Sequence, residues 1–343
     1  MSAPWGSELT RLSVLLVLAW GASAAGVRLM IGYTLRRGML DLPGQRRSHT
    51  VPTPRGGGLG MVAAMLLAGG VAASWPGSAM PISLWTGALL AIVLVAGVGW
   101  GDDQVSLPVL PRLAVQLLAS ALFAYVLCQW GGIALWWCLP LCMAGTASVN
   151  LHNFMDGIDG LLGMQAVFIG VVMVAMGYVA DVAPLTCMAI IMAGAAMGFL
   201  HYNRPPARIF MGDAGSGSLG LLVFMLVALV WAIRTEYVWS ALIACSGFLI
   251  DAGLTLAWRM ARGRRWYSAH REHLYQWLVR RGWSHARTGC LYMIWNLISI
   301  PVVLFAWHAP QHGLTLALCW YALGAALWWI GRMRCLKLAR AGR

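Results

Sequence analysis

A chain of 343 residues that is 60% hydrophobic and only 10% charged cannot hide its apolar surface in a soluble domain, so it reads as a polytopic membrane protein. Its net charge of +13 rests on 24 basic residues against 11 acids, in a pattern that calls for membrane lipids and phosphates as partners and for no nucleic acid. Eight cysteines form no C-x-x-C pair and lie mostly in apolar runs, as small buried hydrophobes rather than metal ligands or disulfides.

Apolar segments long enough to span a bilayer occur at about 11–33, 57–75, 80–100, 110–127, 133–150, 161–180, 183–200, 214–233, 237–257, 289–308 and 313–331. The first, Leu12 to Tyr33, is too long for a signal-peptide core and lacks a basic start, so it reads as an uncleaved span. The expected fold is therefore all-α, with about 11 transmembrane helices in one membrane-embedded domain covering 1–343. Alternate loops and the C-terminus, together with Arg28 near the inner end of the first segment, hold 22 of the 24 basic residues, and only Arg11 and Arg234 fall on the other side. Positive-inside bias then puts the N-terminus outside, in the periplasm, and the C-terminus in the cytoplasm.

The chemistry-bearing residues sit where these segments end. In chain order, the loop from Asp41 through Arg46, Arg47, Ser48 and His49 to Arg55 pairs cations with the glycines Gly56, Gly57 and Gly58 ahead of a helix. Asp102 and Asp103 close the third segment. Adjacent residues point to different sides of a helix, so one acid can face a metal and the other a cation or backbone. Arg112 is placed for a phosphate contact at the start of the next span.

Asn150, Asn153, Asp156 and Asp159 recur every third residue, which on a helix draws them along one face. Such an oxygen-rich set suits Mg²⁺, and Gly157 and Gly160 let the backbone approach a ligand closely. The plainer alternative is a polar helix cap, which does not need four oxygens in register. Next comes Phe210-Met-Gly-Asp213-Ala-Gly215-Ser-Gly-Ser218, a glycine- and serine-rich helix start whose N–H groups can cradle phosphate. Asp213 stands where it can hold a bridging metal, and Phe210 either stacks on a base or packs. Asp251 lies inside an apolar run. Last, His270-Arg271-Glu272-His273 gathers two imidazoles and a guanidinium that suggest a diphosphate clamp, with metal ligation as the alternative, within a loop whose other arginines include Arg265, Arg280 and Arg281 and whose plainer role is to bind anionic lipid headgroups.

Carboxylates for Mg²⁺, cations for phosphates and a membrane for a lipid combine into phosphoryl transfer at the cytoplasmic face. With these motifs the chain resembles the polyprenyl-phosphate N-acetylhexosamine-1-phosphate transferases, in the branch that initiates O-antigen and related surface glycans. The matching stretches run from Asp41 to Gly58, Gly101 to Arg112, Asn150 to Leu161, Pro205 to Gly220 and Phe248 to Gln276.

The resemblance implies transfer of a sugar-1-phosphate from a UDP-N-acetylhexosamine to undecaprenyl phosphate, releasing UMP. It implies Mg²⁺, with Mn²⁺ as a substitute, on Asp213 and Asn153, and Asp102 and Asp103 beside the metal and the lipid phosphate. Asp156 belongs with the catalytic acids, Asp159 and Phe210 with uracil, and His270, Arg271, His273, Arg112 and Gly215 with substrate. The last motif departs from the three consecutive histidines of relatives that use the peptidoglycan precursor, which favours a smaller UDP-sugar. The implied location is the bacterial inner membrane, and a homo-oligomer is compatible with it. Two other classes stand beside this reading: an intramembrane prenyltransferase with Asp-rich Mg²⁺-diphosphate motifs, and a transporter. The first gives no account of the glycine-rich start at Asp213. The second places charges at the bilayer midplane within repeated halves, whereas these acids gather at helix ends.

Overall fold

The computed structural model describes residues 4–41, 52–75, 81–264 and 270–341. Arg46, Arg47, Ser48, His49, residues 76–80 and Arg265 lie outside the described residues. The chain forms two compact units, Met1–Ile233 and Arg234–Arg343.

Unit 1 contains α1 (Pro4–Arg37), α2 (Gly58–Ser74), α3 (Ile82–Val105), α4 (Val109–Gly131), α5 (Cys138–Met155), α6 (Leu161–Val179), α7 (Ala183–Asn203) and α8 (Asp213–Ile233). Between α1 and α2 lies a ribbon absent from the all-α expectation: β1 (Leu40–Asp41) pairs antiparallel with β2 (Thr53–Pro54). Unit 2 contains α9 (Val238–Ala244), α10 (Ser246–Ala261), α11 (Leu274–Arg280), α12 (His285–His308) and α13 (Gly313–Ala341).

All eleven apolar segments are helical, but they do not all qualify as spans. Among the described residues eight helices are long and apolar enough to cross a membrane, and α9 with α10, bent by 77° at Cys245, makes up to nine. The differences have local causes. At 17 residues α2 is short, and α5 carries Asn150, His152 and Asn153 in its last turns. A helix of 17 residues rises only about 26 Å, less than the ~30 Å of a hydrocarbon core.

In unit 1 the central element is α8. Of its most apolar 18 residues 78% are buried, against 22% for α1 and α4. A helix that is apolar all round has no solvent face and must be enclosed. Its small residues decide how closely neighbours come. A Cβ on Gly99 of α3 would lie 2.5 Å from Ala214 N, one on Gly58 of α2 2.4 Å from Gly215 Cα, and one on Gly220 2.7 Å from Ser148 O of α5. Three helices therefore meet α8 backbone to backbone, as small-residue interfaces permit. Any larger side chain at Gly58 or Gly99 would push α8 away, at a cost of at least ~1–3 kcal/mol.

In unit 2 the organising group is a buried acid. Asp251 of α10 accepts from Leu274 N (2.8 Å), Tyr275 N (3.3 Å), Tyr292 Oη (2.6 Å), Trp328 Nε1 (2.9 Å) and Thr255 Oγ1 (3.3 Å). It thus caps the N-terminus of α11 from another helix and ties α10 to α12 and α13. Beside the bend, Ser246 Oγ accepts from the indoles of Trp295 and Trp320 at 3.0 and 2.9 Å. Buried indole N–H groups need such partners, so one hydroxyl links α10, α12 and α13.

Candidate active site

The site is built at the end of α3. Gly99, Asp102 and Asp103 stand at i, i+3 and i+4, so they share the face that meets α8. Gly99 lets the backbones touch, and the two acids then reach different partners. Asp103, with a side chain only 1% exposed, accepts from Asp213 N (3.1 Å) and Ala214 N (3.4 Å) at the start of α8. Asp102 accepts from Leu107 N at 2.6 Å and pairs with Arg112 Nη1 at 2.5 Å. Gly212 allows the first arrangement. Its φ is +79°, and a Cβ there would stand 2.4 Å from Asp103 Oδ2.

This corrects one expectation from the sequence. The glycine-rich start of α8 is not an open phosphate cradle. Asp103 takes the N–H groups of residues 213 and 214, and Gly212 O takes those of Gly215 and Ser216. A helix N-terminus attracts an anion, and in this chain the anion is the protein's own carboxylate.

Arg55, which in the sequence belongs to a general basic loop, is brought to the site by backbone pairing. Residues 54–58 are zipped to 210–211: Phe210 N donates to Pro54 O (2.8 Å), Gly57 N to Phe210 O (2.9 Å) and Gly58 N to Met211 O (2.8 Å). That register delivers Arg55 Nη2 to Asp103 Oδ1 at 2.8 Å and Asp213 Oδ1 at 3.1 Å. From the other side Arg112 Nη1 reaches Asp213 Oδ2 at 3.3 Å. Three carboxylates thus face two guanidinium groups. Asp156 lies within reach of the same charges. Burial first, and then the Asp213 carboxylate, push it up to about 7.

Beside the cluster lies a cavity of ≈40 Å³ whose lining includes Asp213, Arg112, Gln116, Asn150 and Asn153. Asn150 Nδ2 donates to Gln116 Oε1 at 2.8 Å, and Asn153 Nδ2 donates to Ser216 Oγ at 3.1 Å. The second bond leaves Asn153 Oδ1 as the atom offered to a cation. Among the described residues no three His, Cys, Asp or Glu side chains form a metal-holding group. A cation here would therefore need the amide oxygen beside Asp213. Mg²⁺ accepts such a set, because it takes one or two carboxylates and keeps several waters. The cavity has room for about three waters.

The expectation that Asn150, Asn153, Asp156 and Asp159 share a helix face holds for the first two only. The helix ends at Met155, and Gly160 takes a φ of +77°. Asp156 and Asp159 lie in the turn that follows, where Asp159 Oδ2 accepts from Ala207 N at 3.1 Å. Phe210 is half-buried and its backbone belongs to the zipper with 54–57. Gly215 is pressed on Gly58, where an added Cβ would meet Gly58 Cα at 2.6 Å.

In unit 2, residues 270–273 are not helical, so helical spacing does not explain the two histidines. They still meet, with ring centroids 4.9 Å apart. What holds the stretch is Glu272, which pairs with Arg259, with Arg264 at 2.9 Å and with Arg332 at 3.3 Å. Burial opposes its charge, but Arg259, Arg264 and Arg332 outweigh burial and hold Glu272 below the usual carboxylate range. Burial, then His273 and Arg259, lower His270 to about 4, and burial lowers His273 as well. Both rings are neutral at neutral pH, so they offer N–H donors while the arginines carry the charge. Arg271 O accepts from Arg280. Arg281, another arginine of the basic loop, is bound to Cys335 O of α13 through Nε (3.1 Å) and Nη2 (2.7 Å).

The motif reading missed Arg55 and Gln116 as site residues. Gln116 carried a signal, since it lies four residues after Arg112 on the same face of α4. Arg55 had none beyond its place between Pro54 and three glycines.

Comparison with known proteins places this geometry in context. A model described as Glycosyl transferase family 4 matches residues 85–231, from α3 into α8. The phospho-N-acetylmuramoyl-pentapeptide-transferase of Symbiobacterium thermophilum is 31% identical, over 87% of this chain and 96% of its own. That of Thermosynechococcus vestitus is 28% identical over 90% of this chain and 86% of its own. The decaprenyl-phosphate N-acetylglucosaminephosphotransferase of Mycobacterium tuberculosis (strain ATCC 25618 / H37Rv) is 29% identical, over 76% of this chain and 74% of its own.

Proposed function

This chain belongs to Glycosyl transferase family 4, the polyprenyl-phosphate sugar-1-phosphate transferases, and from that premise we propose that it moves N-acetylhexosamine-1-phosphate from a UDP-sugar to undecaprenyl phosphate. An oxygen of the lipid phosphate attacks the phosphorus that bears the sugar. The bond from that phosphorus to UMP breaks, and UMP leaves. The product is the first lipid-linked sugar of a surface glycan such as O-antigen, made at the cytoplasmic face of the bacterial inner membrane. The orientation rests on the 22-to-2 division of basic residues.

The observation that carries this reading is the meeting of Asp102, Asp103 and Asp213 with Arg55 and Arg112 beside an amide-lined cavity. The physical problem is bringing one phosphate onto another. Two unit charges ~4 Å apart repel by about 4 kcal/mol at an effective dielectric of ~20. Arg55 and Arg112 are 38% and 31% exposed at the side chain, so they can turn from the acids toward incoming phosphates. Asp213 and Asn153 would hold Mg²⁺, which when bound neutralises diphosphate charge and stabilises the leaving UMP. A general base is dispensable, because a phosphate monoester has its second pKa near ~6 and is largely ionised at neutral pH. Asp103, fixed on the start of α8, positions rather than reacts. Asp102 and Asp156 bias the phosphates, and Asp159 and Phe210 lie toward the uracil. His270, Arg271 and His273 donate to the diphosphate, an assignment that rests on the family resemblance.

The test is UMP release by purified protein from a panel of UDP-GlcNAc, UDP-QuiNAc and UDP-FucNAc, with and without undecaprenyl phosphate and Mg²⁺. Release that needs both is expected, for one donor above the others. No release from any donor, or consumption of a prenyl diphosphate instead, overturns the proposal.

A further inference from the structure

Unit 2 holds a cavity that the proposed reaction does not use. It measures ≈480 Å³ and lies between α10, α11, α12 and α13. We propose that it binds one acyl chain of an anionic phospholipid, with the lipid's phosphodiester on Arg334.

The interior takes hydrocarbon. Its walls include Leu291, Trp295, Leu327 and Ile330, and its polar group, Asp251, already spends its oxygens on Leu274, Tyr275, Tyr292, Trp328 and Thr255. No buried donor or acceptor there asks for a polar ligand. The opening faces lipid. Leu291, Leu327 and Ile330 are 39%, 50% and 46% exposed, on the two helices of this unit that qualify outright as spans. One end takes an anion. Arg334 lines the cavity, is exposed, and has no hydrogen-bond or ion-pair partner among the described residues. It stands four residues past Ile330, hence one turn beyond the apolar wall. The guanidinium of Arg281 lies in the same lining but is held by Cys335 O.

The charge identifies the lipid. One unpartnered guanidinium matches the single charge of a phosphodiester and prefers it to a zwitterionic headgroup. A terminal phosphate monoester carries about −1.5 to −2 and would need further cations. None of the clustered acids or amides of unit 1 lines this cavity, so the lipid here is a bound companion and not the acceptor.

The test uses full-length protein reconstituted in equimolar phosphatidylglycerol and phosphatidylethanolamine vesicles, then extracted and weighed intact by native mass spectrometry. Retained phosphatidylglycerol should exceed phosphatidylethanolamine. Arg334→Ala, at an exposed position, should weaken retention about tenfold, the worth of one charge-assisted hydrogen bond. Leu327→Trp, which fills the opening, should abolish retention of either lipid. Should that variant fail to fold, Arg334→Ala decides alone. Equal retention of both lipids, or unchanged retention in Arg334→Ala, overturns the proposal. So does displacement of phosphatidylglycerol by undecaprenyl phosphate with the same dependence on Arg334, because the cavity would then be an acceptor site.

Discussion

Asp103 and Asp251 each cap a helix that another part of the chain supplies, yet their charges are compensated in opposite ways. Asp251 is held in unit 2 by two backbone N–H groups, a phenol, an indole and a hydroxyl, all neutral and most of them buried. Asp103 holds the start of α8 and shares Arg55 with Asp213, while Arg112 joins Asp213 to Asp102. Neutral donors fixed by packing cannot leave, so Asp251 is permanent structure. Half-exposed guanidinium groups can exchange a carboxylate for a phosphate, so the Asp103 region is arranged to change partners. The same residue type at the same kind of helix start is architecture in one unit and, under the proposed function, part of the machinery in the other.

That contrast can be broken at several points. The largest effect is expected from Asp251→Leu, which strands four or more donors in a buried place at ~1–3 kcal/mol each. A loss of at least ~4 kcal/mol should appear as early thermal unfolding or rapid proteolysis of residues after 234. A variant that melts like wild type would show that Asp251 does not organise unit 2. Asp213→Asn should behave oppositely, with unchanged melting and turnover reduced at least ~10²-fold, about 3 kcal/mol of transition-state stabilisation. Near-normal UMP release at ordinary Mg²⁺ would remove Asp213 from the metal site.

Gly212→Ala should lose on both scores, because its φ of +79° and its closeness to Asp103 leave no room for a Cβ. About 1–2 kcal/mol of strain is expected, together with roughly tenfold slower turnover as Asp103 shifts off α8. Smaller still, Arg281→Ala should cost ~1.5 kcal/mol by freeing α11 from Cys335 O, whereas Arg280→Ala should change melting little. Equal effects would show that the bond to Cys335 O does not hold α11 in place.

The smallest effect is one of pH. Glu272 titrates below its ordinary value of 4.5 because three arginines favour its charged form. The stability it contributes is complete above about 4.5 and is lost as pH falls through the lower folded value. Melting of wild type and Glu272→Gln, followed from pH 7 downward, should differ by a constant amount and then converge. A gap that widens on acidification would contradict the ion-pair assignment.

The mostly helical membrane class, the places of the eleven helical segments and the inventory of acids were readable in the chain, because apolar runs and composition are properties of neighbours in sequence; the β1–β2 ribbon was not. Asp102 and Asp103 were separable in advance for the same reason, since adjacent residues on a helix diverge. The limits came where a helix stopped. Four residues at a spacing of three look like one face until Gly160 takes φ +77° and the chain turns after Met155. His270 and His273 stand three apart, a spacing that would pair them on a helix, whereas a non-helical stretch pinned by Glu272 brings them together.

Sequence alone therefore determined which groups this protein brings to a membrane and along which helices they lie. Tertiary structure decided which of them meet. Asp103 finds the start of α8 across 110 positions and Arg55 finds Asp213 across 158, and neither pairing leaves a periodic trace. Those distances close because Gly58, Gly99 and Gly212 let backbones approach where any Cβ would collide. Periodicity records only contacts within a turn or two, while an encounter between distant helices depends on the shapes of both surfaces at once.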